Sequence, residues 1–172
     1  KEKFEIYKPP RKNNYFDKKK FEILKKSRAV FICSPNSTHF SYLKKLRNKY
    51  IFCEKPPVTS KRQLTYLKKN NSKKIFFNYN YRFSTIGLFL SKIKDYNLGK
   101  LLYGSIISSK GLAYKKFYKD NWRSERKKCK TGVFELVSIH TIDLLNYYFG
   151  IKKVKFNILQ NLSNIKDGID TS

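Results

Sequence analysis

Short apolar runs alternate with longer stretches of helical spacing from Arg28 onward, and this alternation constrains the fold more than any other feature of the chain. The runs are rich in β-branched and aromatic residues and end at polar or proline-containing segments; they cover residues 29–33, 50–53 and 75–79. The first two are followed by apolar residues three or four positions apart, as an amphipathic helix requires. This order is typical of βαβ units, so we expect a parallel sheet with buried strands.

Two helix ends carry recognisable signals. Ser60 followed by Gln63 is a capping box and predicts a helix that begins next to Ser60. Residues 132–149 have helical spacing, and Gly150 stands where a helix commonly ends in a left-handed residue.

The rhythm of the sequence changes near Tyr81, where we place a domain boundary between residues 1–81 and 82–172. The second part contains a helix-like segment, a β-like run, a polar aromatic loop, a helix and a further β-like run, at residues 83–93, 101–112, 114–130, 132–149 and 152–159. A long polar loop of this kind often carries function.

The net charge of +27 would ordinarily suggest a nucleic-acid partner. However, 32 of the 39 basic residues are lysines and they are scattered along the chain, whereas base-edge recognition relies heavily on arginine. We therefore interpret the lysines as solvated surface charge and expect no nucleic-acid partner, with a lysine-rich nucleic-acid-binding protein as the less favoured alternative.

Composition also bears on the membrane, on metals and on the cellular compartment. No stretch approaches eighteen consecutive apolar residues, so the sequence predicts no membrane span. The cysteines Cys33, Cys53 and Cys129 match neither a metal-site spacing nor a disulfide framework, so we expect no metal and a reducing, cytoplasmic setting.

Candidate chemistry lies at the ends of the first two predicted strands. The segments Ser34-Pro35-Asn36 and Glu54-Lys55-Pro56 follow these strands, and ligands of open α/β sheets bind outside the carboxyl ends of parallel strands. A lysine such as Lys55 at this edge can polarise a substrate oxygen or move its proton. An ordinary surface ion pair between Glu54 and Lys55 is the alternative interpretation.

These segments belong to an ordered set of motifs that extends from about Phe21 to Gly150. The set contains Ala29 to Asn36 with His39, Glu54-Lys55-Pro56, Asn80-Tyr81-Arg82-Phe83, Gly99, Trp122-Arg123, and the helix with His140-Thr141-Ile142-Asp143. In this order the chain resembles the Gfo/Idh/MocA family of nicotinamide-dependent sugar oxidoreductases. The resemblance implies an α/β fold class: part of a Rossmann nucleotide-binding domain, followed by part of an α+β domain with a large open, mostly antiparallel sheet.

The resemblance also implies roles for individual residues. It places seven residues beside an NAD or NADP cofactor: Ser34, Pro35, Asn36, His39, Glu54, Lys55 and Pro56. Lys55 and His140 would be the catalytic residues, with His140 accepting the proton of a sugar hydroxyl, and Pro56 is a candidate for a cis peptide bond. Three residues are candidates for substrate binding: Arg82, Arg123 and Asp143. The alternative for the two arginines is a structural ion pair, and the alternative for Asp143 is a plain exposed position. Asp143 is also placed to orient the His140 ring.

Two departures from the family pattern affect these expectations. None of the glycines forms the family's G-x-G-x-x-G phosphate loop, and the chain contains no methionine, so we expect a fragment that by itself binds nucleotide poorly. The family commonly has an aspartate four residues before the histidine, whereas this chain has Leu136 there and Glu135 beside it. In a regular α-helix each residue turns the chain by about 100°, so Glu135 would point away from His140 unless the helix is irregular.

The sequence therefore predicts an NAD(P)-dependent oxidoreductase that transfers a hydride between nicotinamide and a hydroxyl-bearing carbon of a sugar, nucleotide sugar or cyclitol. Its partner would be this small molecule, and the full-length protein is a candidate homo-oligomer. A non-catalytic Rossmann-like binding or regulatory protein remains the alternative, which Leu136 favours.

Overall fold

The computed structural model describes residues 18–70, 73–97, 99–100, 102–107, 117, 121–125, 127–129, 132, 134–151, 153 and 155. The chain divides into two compact units. The first consists of Lys1–Ser34 and Thr38–Phe77, and the second of Pro35–Ser37 and Asn78–Ser172.

A parallel sheet with its connecting helices forms the predicted βαβ pattern. The elements follow in the order α1 (Lys18–Lys26), β1 (Ala29–Ile32), α2 (Asn36–Leu46), β2 (Tyr50–Glu54), α3 (Lys61–Lys69) and β3 (Ile75–Asn78). Within the described residues the sheet has the strand order β1-β2-β3. Strands β1 and β2 are parallel, with Ala29 opposite Tyr50 and Ile32 opposite Cys53. The Rossmann-like arrangement expected from the alternating pattern is confirmed.

The core of the first unit lies on one face of this sheet. Alternate strand residues such as Val30 and Ile51 are buried there together with Leu43 of α2, which is fully buried. On the other face Phe31 is 62% exposed and Tyr50 is 56% exposed. The expectation of fully buried strands is therefore wrong for the described residues, because an apolar run does not reveal whether one face of a sheet is covered or both.

The start of α3 follows the predicted capping box, with one difference. The Ser60 hydroxyl accepts a hydrogen bond from the Gln63 backbone N–H at 3.3 Å. The Gln63 side chain reaches back one residue further than expected, and its Oε1 accepts from the Thr59 N–H at 2.8 Å. The first bond satisfies a backbone donor that the first helical turn leaves without a partner, and the second fixes the residue before the N-cap.

The second unit contains the segments around His140. A 3₁₀ turn at Asn80–Phe83 leads into α4 (Thr85–Ser91), and a π-helical turn at Phe134–Ser138 leads into α5 (Ile139–Phe149). The predicted end of α5 is confirmed, because Gly150 adopts φ 63° and ψ 43° and its N–H bonds to the Asn146 carbonyl.

Gly87 allows α4 to approach the 3₁₀ turn. A Cβ atom at Gly87 would lie 2.3 Å from the Tyr81 carbonyl oxygen and 2.4 Å from that of Arg82. Only a residue without a side chain fits there.

The β-like runs of the second part are covered only in part by the described residues. Residues 102–107 form no strand, and most of the remainder of the two runs, at 108–112 and 152–159, lies outside the described residues. In the portion of the chain that the structure describes, none of the helices has the length and apolarity to cross a bilayer.

Candidate active site

In the first unit, the predicted loops leave the sheet at the same edge. Because β1 and β2 are parallel and Ile32 lies opposite Cys53, the segments that follow these two residues both lie at the carboxyl end of the sheet. Ser34, Glu54 and Lys55 are all partly exposed there. Their polar groups are therefore within reach of a ligand from solvent.

His39 connects the two loops. It is fully buried in α2, and its Nε2 lies 2.7 Å from the Ser34 carbonyl oxygen while its Nδ1 lies 2.8 Å from that of Pro56. Both carbonyl oxygens can only accept, and a neutral imidazole donates from one nitrogen at a time. The geometry makes His39 a clamp between the segment after β1 and the segment after β2.

The remaining loop residues of the first unit support the same edge. The Ser34 and Thr38 hydroxyls are 2.6 Å apart and hydrogen-bonded, and Thr38 is buried. Pro56 is buried and the Lys55–Pro56 peptide bond is cis, as the resemblance suggested. Thr38 was not among the predicted site residues; its position four residues after Ser34, on the first turns of α2, was the available signal.

Burial also determines the state of the nearby thiol. Desolvation, with the Glu54 charge adding to it, raises the pKa of Cys53 to about 12. This thiol stays protonated at neutral pH and is unsuited as a nucleophile or metal ligand. No group of three or more potential metal-ligating side chains occurs among the described residues.

In the second unit, His140 lies at the start of α5 and is 9% exposed. Its ring stacks on Tyr81, with the centroids 4.6 Å apart and the planes at 16°. Stacking fixes the plane of the imidazole. Tyr81 belongs to the motif Asn80-Tyr81-Arg82-Phe83, but the motif alone predicted no role for it.

Arg82 and Asp143, two predicted substrate-binding residues, contact each other. Arg82 Nε donates to Asp143 Oδ2 at 2.8 Å and Arg82 Nη2 donates to Oδ1 at 2.5 Å, which is a bidentate pair. The hydrogen bond that Arg82 donates to Asp143 is the main cause that raises the pKa of Arg82. The guanidinium also lies over the Tyr147 ring, 4.1 Å from its centroid. In this arrangement the two side chains fasten the 3₁₀ turn to α5.

Arg123, the third predicted substrate-binding residue, is held within its own turn. Its guanidinium lies 4.5 Å from the centroid of the Trp122 ring, and Nη1 donates to Asn121 Oδ1 at 3.1 Å. The side chain is partly exposed.

The helical segment before His140 is irregular at Glu135, the acidic residue next to the position where the family commonly has aspartate. Phe134–Ser138 form a π-helical turn, and Glu135 within it is 7% exposed. Asn36 Nδ2 donates to Glu135 Oε1 at 3.1 Å, and Asn36 itself is 4% exposed. Asn36 and its neighbour Pro35 belong to the second unit. The expectation that Glu135 points away from His140 assumed a regular α-helix, and residues 134–138 do not form one.

The first of two comparisons concerns the family. Residues 10–77 match the model of a family described as an oxidoreductase family with an NAD-binding Rossmann fold, Gfo/Idh/MocA. The matched part contains both loops of the first unit, and the resemblance is thereby confirmed. No curated protein matches the sequence.

The second comparison concerns solved structures. An inositol dehydrogenase homolog from Azotobacter vinelandii, complexed with NAD+, is similar with a TM-score of 0.57 and 20% identity. The match covers 76% of this chain and 37% of the homolog's chain. The WlbA (WbpB) dehydrogenase from Thermus thermophilus, in complex with NAD and UDP-GlcNAcA, has a TM-score of 0.58 at 18% identity, with 78% and 47% covered. Levoglucosan dehydrogenase, in complex with NADH and levoglucosan, has a TM-score of 0.59 at 22% identity, with 72% and 35% covered. These likenesses show the fold, and the chain spans less than half the length of each of the three.

Proposed function

We propose, for a chain whose residues 10–77 match the Gfo/Idh/MocA oxidoreductase family, that the full-length protein transfers a hydride between a nicotinamide dinucleotide and a carbon bearing a hydroxyl group. The substrate class is a sugar, nucleotide sugar or cyclitol. Structural neighbours that bind levoglucosan and UDP-GlcNAcA together with NADH or NAD support this class.

The observation that carries the proposal is the pair of loops at the carboxyl edge of the sheet. Ser34, Glu54 and Lys55 present partly exposed polar groups there, while the buried His39 fastens both loops. This edge is where open α/β sheets bind nucleotides, so the residues fit an NAD or NADP cofactor. Pro35, Asn36 and Pro56 would complete the segments that contact it.

The cofactor supplies a hydride acceptor when it is bound. We propose that the Lys55 ammonium binds the oxygen of the substrate hydroxyl and lowers the cost of removing its proton. The His140 imidazole then accepts this proton, because it is a base whose ordinary pKa lies near neutrality. Tyr81 keeps the ring plane fixed during the transfer.

The test replaces each of the two residues in the full-length protein. Lys55→Met keeps the length of the aliphatic chain but removes the charge, and His140→Asn removes the base. Turnover of NAD+ and NADP+ is measured against a panel of sugars, nucleotide sugars and cyclitols, and nucleotide binding is measured separately by calorimetry. We expect each variant to lower kcat by roughly 100-fold or more while nucleotide affinity changes little.

A matched control and a double variant sharpen the test. Lys61→Met changes an exposed lysine at the start of α3 and should leave turnover unchanged. If Lys55 and His140 act on one proton transfer, the double variant loses no more than the product of the two single losses, and usually less. Wild-type turnover in the Lys55→Met variant would refute the assigned role, and absence of nicotinamide turnover by the wild type on the whole panel would favour the non-catalytic alternative.

Several expectations remain part of this proposal. Arg82, Arg123 and Asp143 are proposed to border the substrate; the first and last would do so as an ion pair. We also propose that the domain boundary lies near Tyr81 and that residues 82–172 belong to a domain with an open, mostly antiparallel sheet. The full-length protein is proposed to be cytoplasmic, to form homo-oligomers and to have no nucleic-acid partner; binding of random DNA near physiological salt would contradict the last point.

A further inference from the structure

Lysines that are scattered along the sequence converge at one edge of the first unit. The strands β1, β2 and β3 begin at this edge, and each is preceded by a helix that ends two, three or five residues earlier. The Ile51 N–H donates to the Lys74 carbonyl oxygen at 2.8 Å, which places the start of β3 beside the start of β2. The ends of the three helices and the starts of the three strands therefore lie together, at the opposite edge from Lys55.

Each of the three helices ends in a pair of exposed lysines. The pairs come from α1, α2 and α3 in turn: Lys25-Lys26, Lys44-Lys45 and Lys68-Lys69. Side-chain contacts show that the helix ends are neighbours. The Phe21 ring of α1 has Lys25 Nζ at 5.7 Å and Lys45 Nζ at 5.4 Å from its centroid. Arg47, one residue after α2, donates from Nη1 to Oδ1 of Asn70, one residue after α3, at 3.1 Å.

Further cations lie in the connections between the helices and the strands. Four exposed side chains lie there: Arg28, Arg47, Lys73 and Lys74. The helix dipole accounts for lysines in a last helical turn, but these four residues stand outside the helices. Together with the six lysines at the helix ends they form what we call the basic edge. The described residues of the first unit include two acidic ones: Glu54 at the other end of β2, and Glu22, which bonds Lys25 at 2.7 Å.

The charge of the basic edge favours an anionic partner. Packed helices lie about 8–10 Å apart, close to the Debye length of about 8 Å at physiological ionic strength, so charges on neighbouring helix ends repel one another. An anionic surface offsets this repulsion. Eight of the ten cations are lysines, which pair with phosphate or carboxylate as point charges, whereas base recognition relies on arginine. Lysine clusters of this size are typical of proteins that bind anionic lipid headgroups.

The layout of the basic edge also fits a lipid surface. Apolar residues of all three helices pack on the same face of the sheet, so the helix ends and the strand starts form two adjacent rows. Two adjacent rows present their charges along a plane, as a headgroup layer does. Tyr50 at the start of β2 is 56% exposed, and Lys74 Nζ lies 5.3 Å from its ring centroid. Tyrosine, which has an apolar body and a polar end, is common at membrane interfaces.

We propose that the basic edge binds the surface of a membrane that contains anionic phospholipids. The contact is peripheral and electrostatic, so it needs no membrane-spanning helix. Because the basic edge lies opposite the loops at the carboxyl edge of the sheet, bound lipid leaves those loops open to a cofactor. This inference does not depend on the proposed function.

The test compares the two ends of one helix in the full-length protein. Lys68→Gln with Lys69→Gln removes two charges from the basic edge, and Lys61→Gln with Arg62→Gln removes two exposed charges from the start of the same helix. Both double variants change the net charge equally. Co-sedimentation at about 0.1 M salt measures binding to vesicles of one-third phosphatidylserine and two-thirds phosphatidylcholine, and to vesicles of phosphatidylcholine alone.

The expected loss follows from the contribution of each cation. A lysine near an anionic membrane strengthens binding about 5-fold, so the Lys68→Gln, Lys69→Gln variant should bind the phosphatidylserine vesicles about 25-fold more weakly. The control pair should lose less than about 3-fold, because α3 is about 13 Å long and thus longer than the Debye length. Lys26→Gln with Lys73→Gln, on two other elements, is a second pair with the same expected loss.

Two results would overturn the proposal directly: equal binding to both kinds of vesicle, or equal losses in the basic-edge and control variants. A random DNA duplex tests the other class of polyanion. The phosphatidylserine vesicles should retain the protein when duplex is added at the same concentration of phosphate. Displacement by the duplex would identify a nucleic acid as the preferred partner and would also overturn the proposal.

Discussion

Replacing His39 by leucine should lower the free energy of unfolding of the first unit by more than the small change in side-chain volume suggests. The imidazole contacts two backbone carbonyl oxygens, at 2.7 Å on Ser34 and 2.8 Å on Pro56. Leucine has similar bulk and no donor. In His39→Leu one of the two carbonyls, that of Pro56 or that of Ser34, loses the ring N–H donor, and the other loses a close polar contact.

The expected cost follows from these two environments. A buried carbonyl left without a donor costs about 1–3 kcal/mol, and a partly buried one costs less because water reaches it. The free energy of unfolding should therefore fall by about 1–3 kcal/mol in His39→Leu. His39→Gln retains an amide donor and should recover roughly half of this loss.

Equilibrium unfolding in urea, followed by far-UV circular dichroism, measures the difference. With an m-value of about 2 kcal/mol/M, a loss of 3 kcal/mol lowers the midpoint by about 1.5 M. Asn48→Leu, at an exposed position after α2, is the control and should change stability by less than about 0.5 kcal/mol. A His39→Leu midpoint within the range of this control would refute the assignment of His39 as a clamp.

Four further outcomes follow from other parts of the structure. A double-mutant cycle with Arg82→Ala and Asp143→Ala should give a coupling of about 1–2 kcal/mol in the free energy of unfolding; additive effects would contradict the bidentate pair. Gly87→Ala should lower the free energy of unfolding by at least about 2 kcal/mol, because the new Cβ would lie 2.3 Å from a backbone oxygen. An unchanged melting temperature would contradict that close approach. Alkylation followed by mass spectrometry should modify exposed Cys33 well before Cys53, whose pKa burial raises to about 12. Stability from the protonated Cys53 thiol is fully present below its ordinary pKa of 9.0 and is lost as the pH rises towards 12, so Cys53→Ala should flatten the alkaline fall in stability.

The order of strands and helices from β1 to β3 was predictable because it depends on local patterns. Apolar runs ending at polar segments marked β1, β2 and β3, and the Ser60 signal marked the start of α3. Ordered motifs also indicated the family before any contact was known, since motif order is a property of the chain itself.

The roles of buried polar residues were less predictable. His39 was expected beside the cofactor, and the structure shows its ring bonded to two carbonyl groups that come from different loops. Arg82 and Asp143 are 61 residues apart and were assigned separately to the substrate, whereas the structure pairs them. Such contacts depend on which segments meet in space, and no local pattern contains that information.

The amino-acid sequence by itself determined the alternation of strands and helices, the helix ends at Ser60 and Gly150, and the edge of the sheet where Lys55 stands. These follow from side-chain periodicity, capping hydrogen bonds and strand direction, which act over a few residues. Only the tertiary structure decided that, among the described residues, one sheet face is largely exposed and that Asn36 bonds Glu135. Both depend on contacts between residues far apart in the chain, which side-chain periodicity and capping signals do not encode.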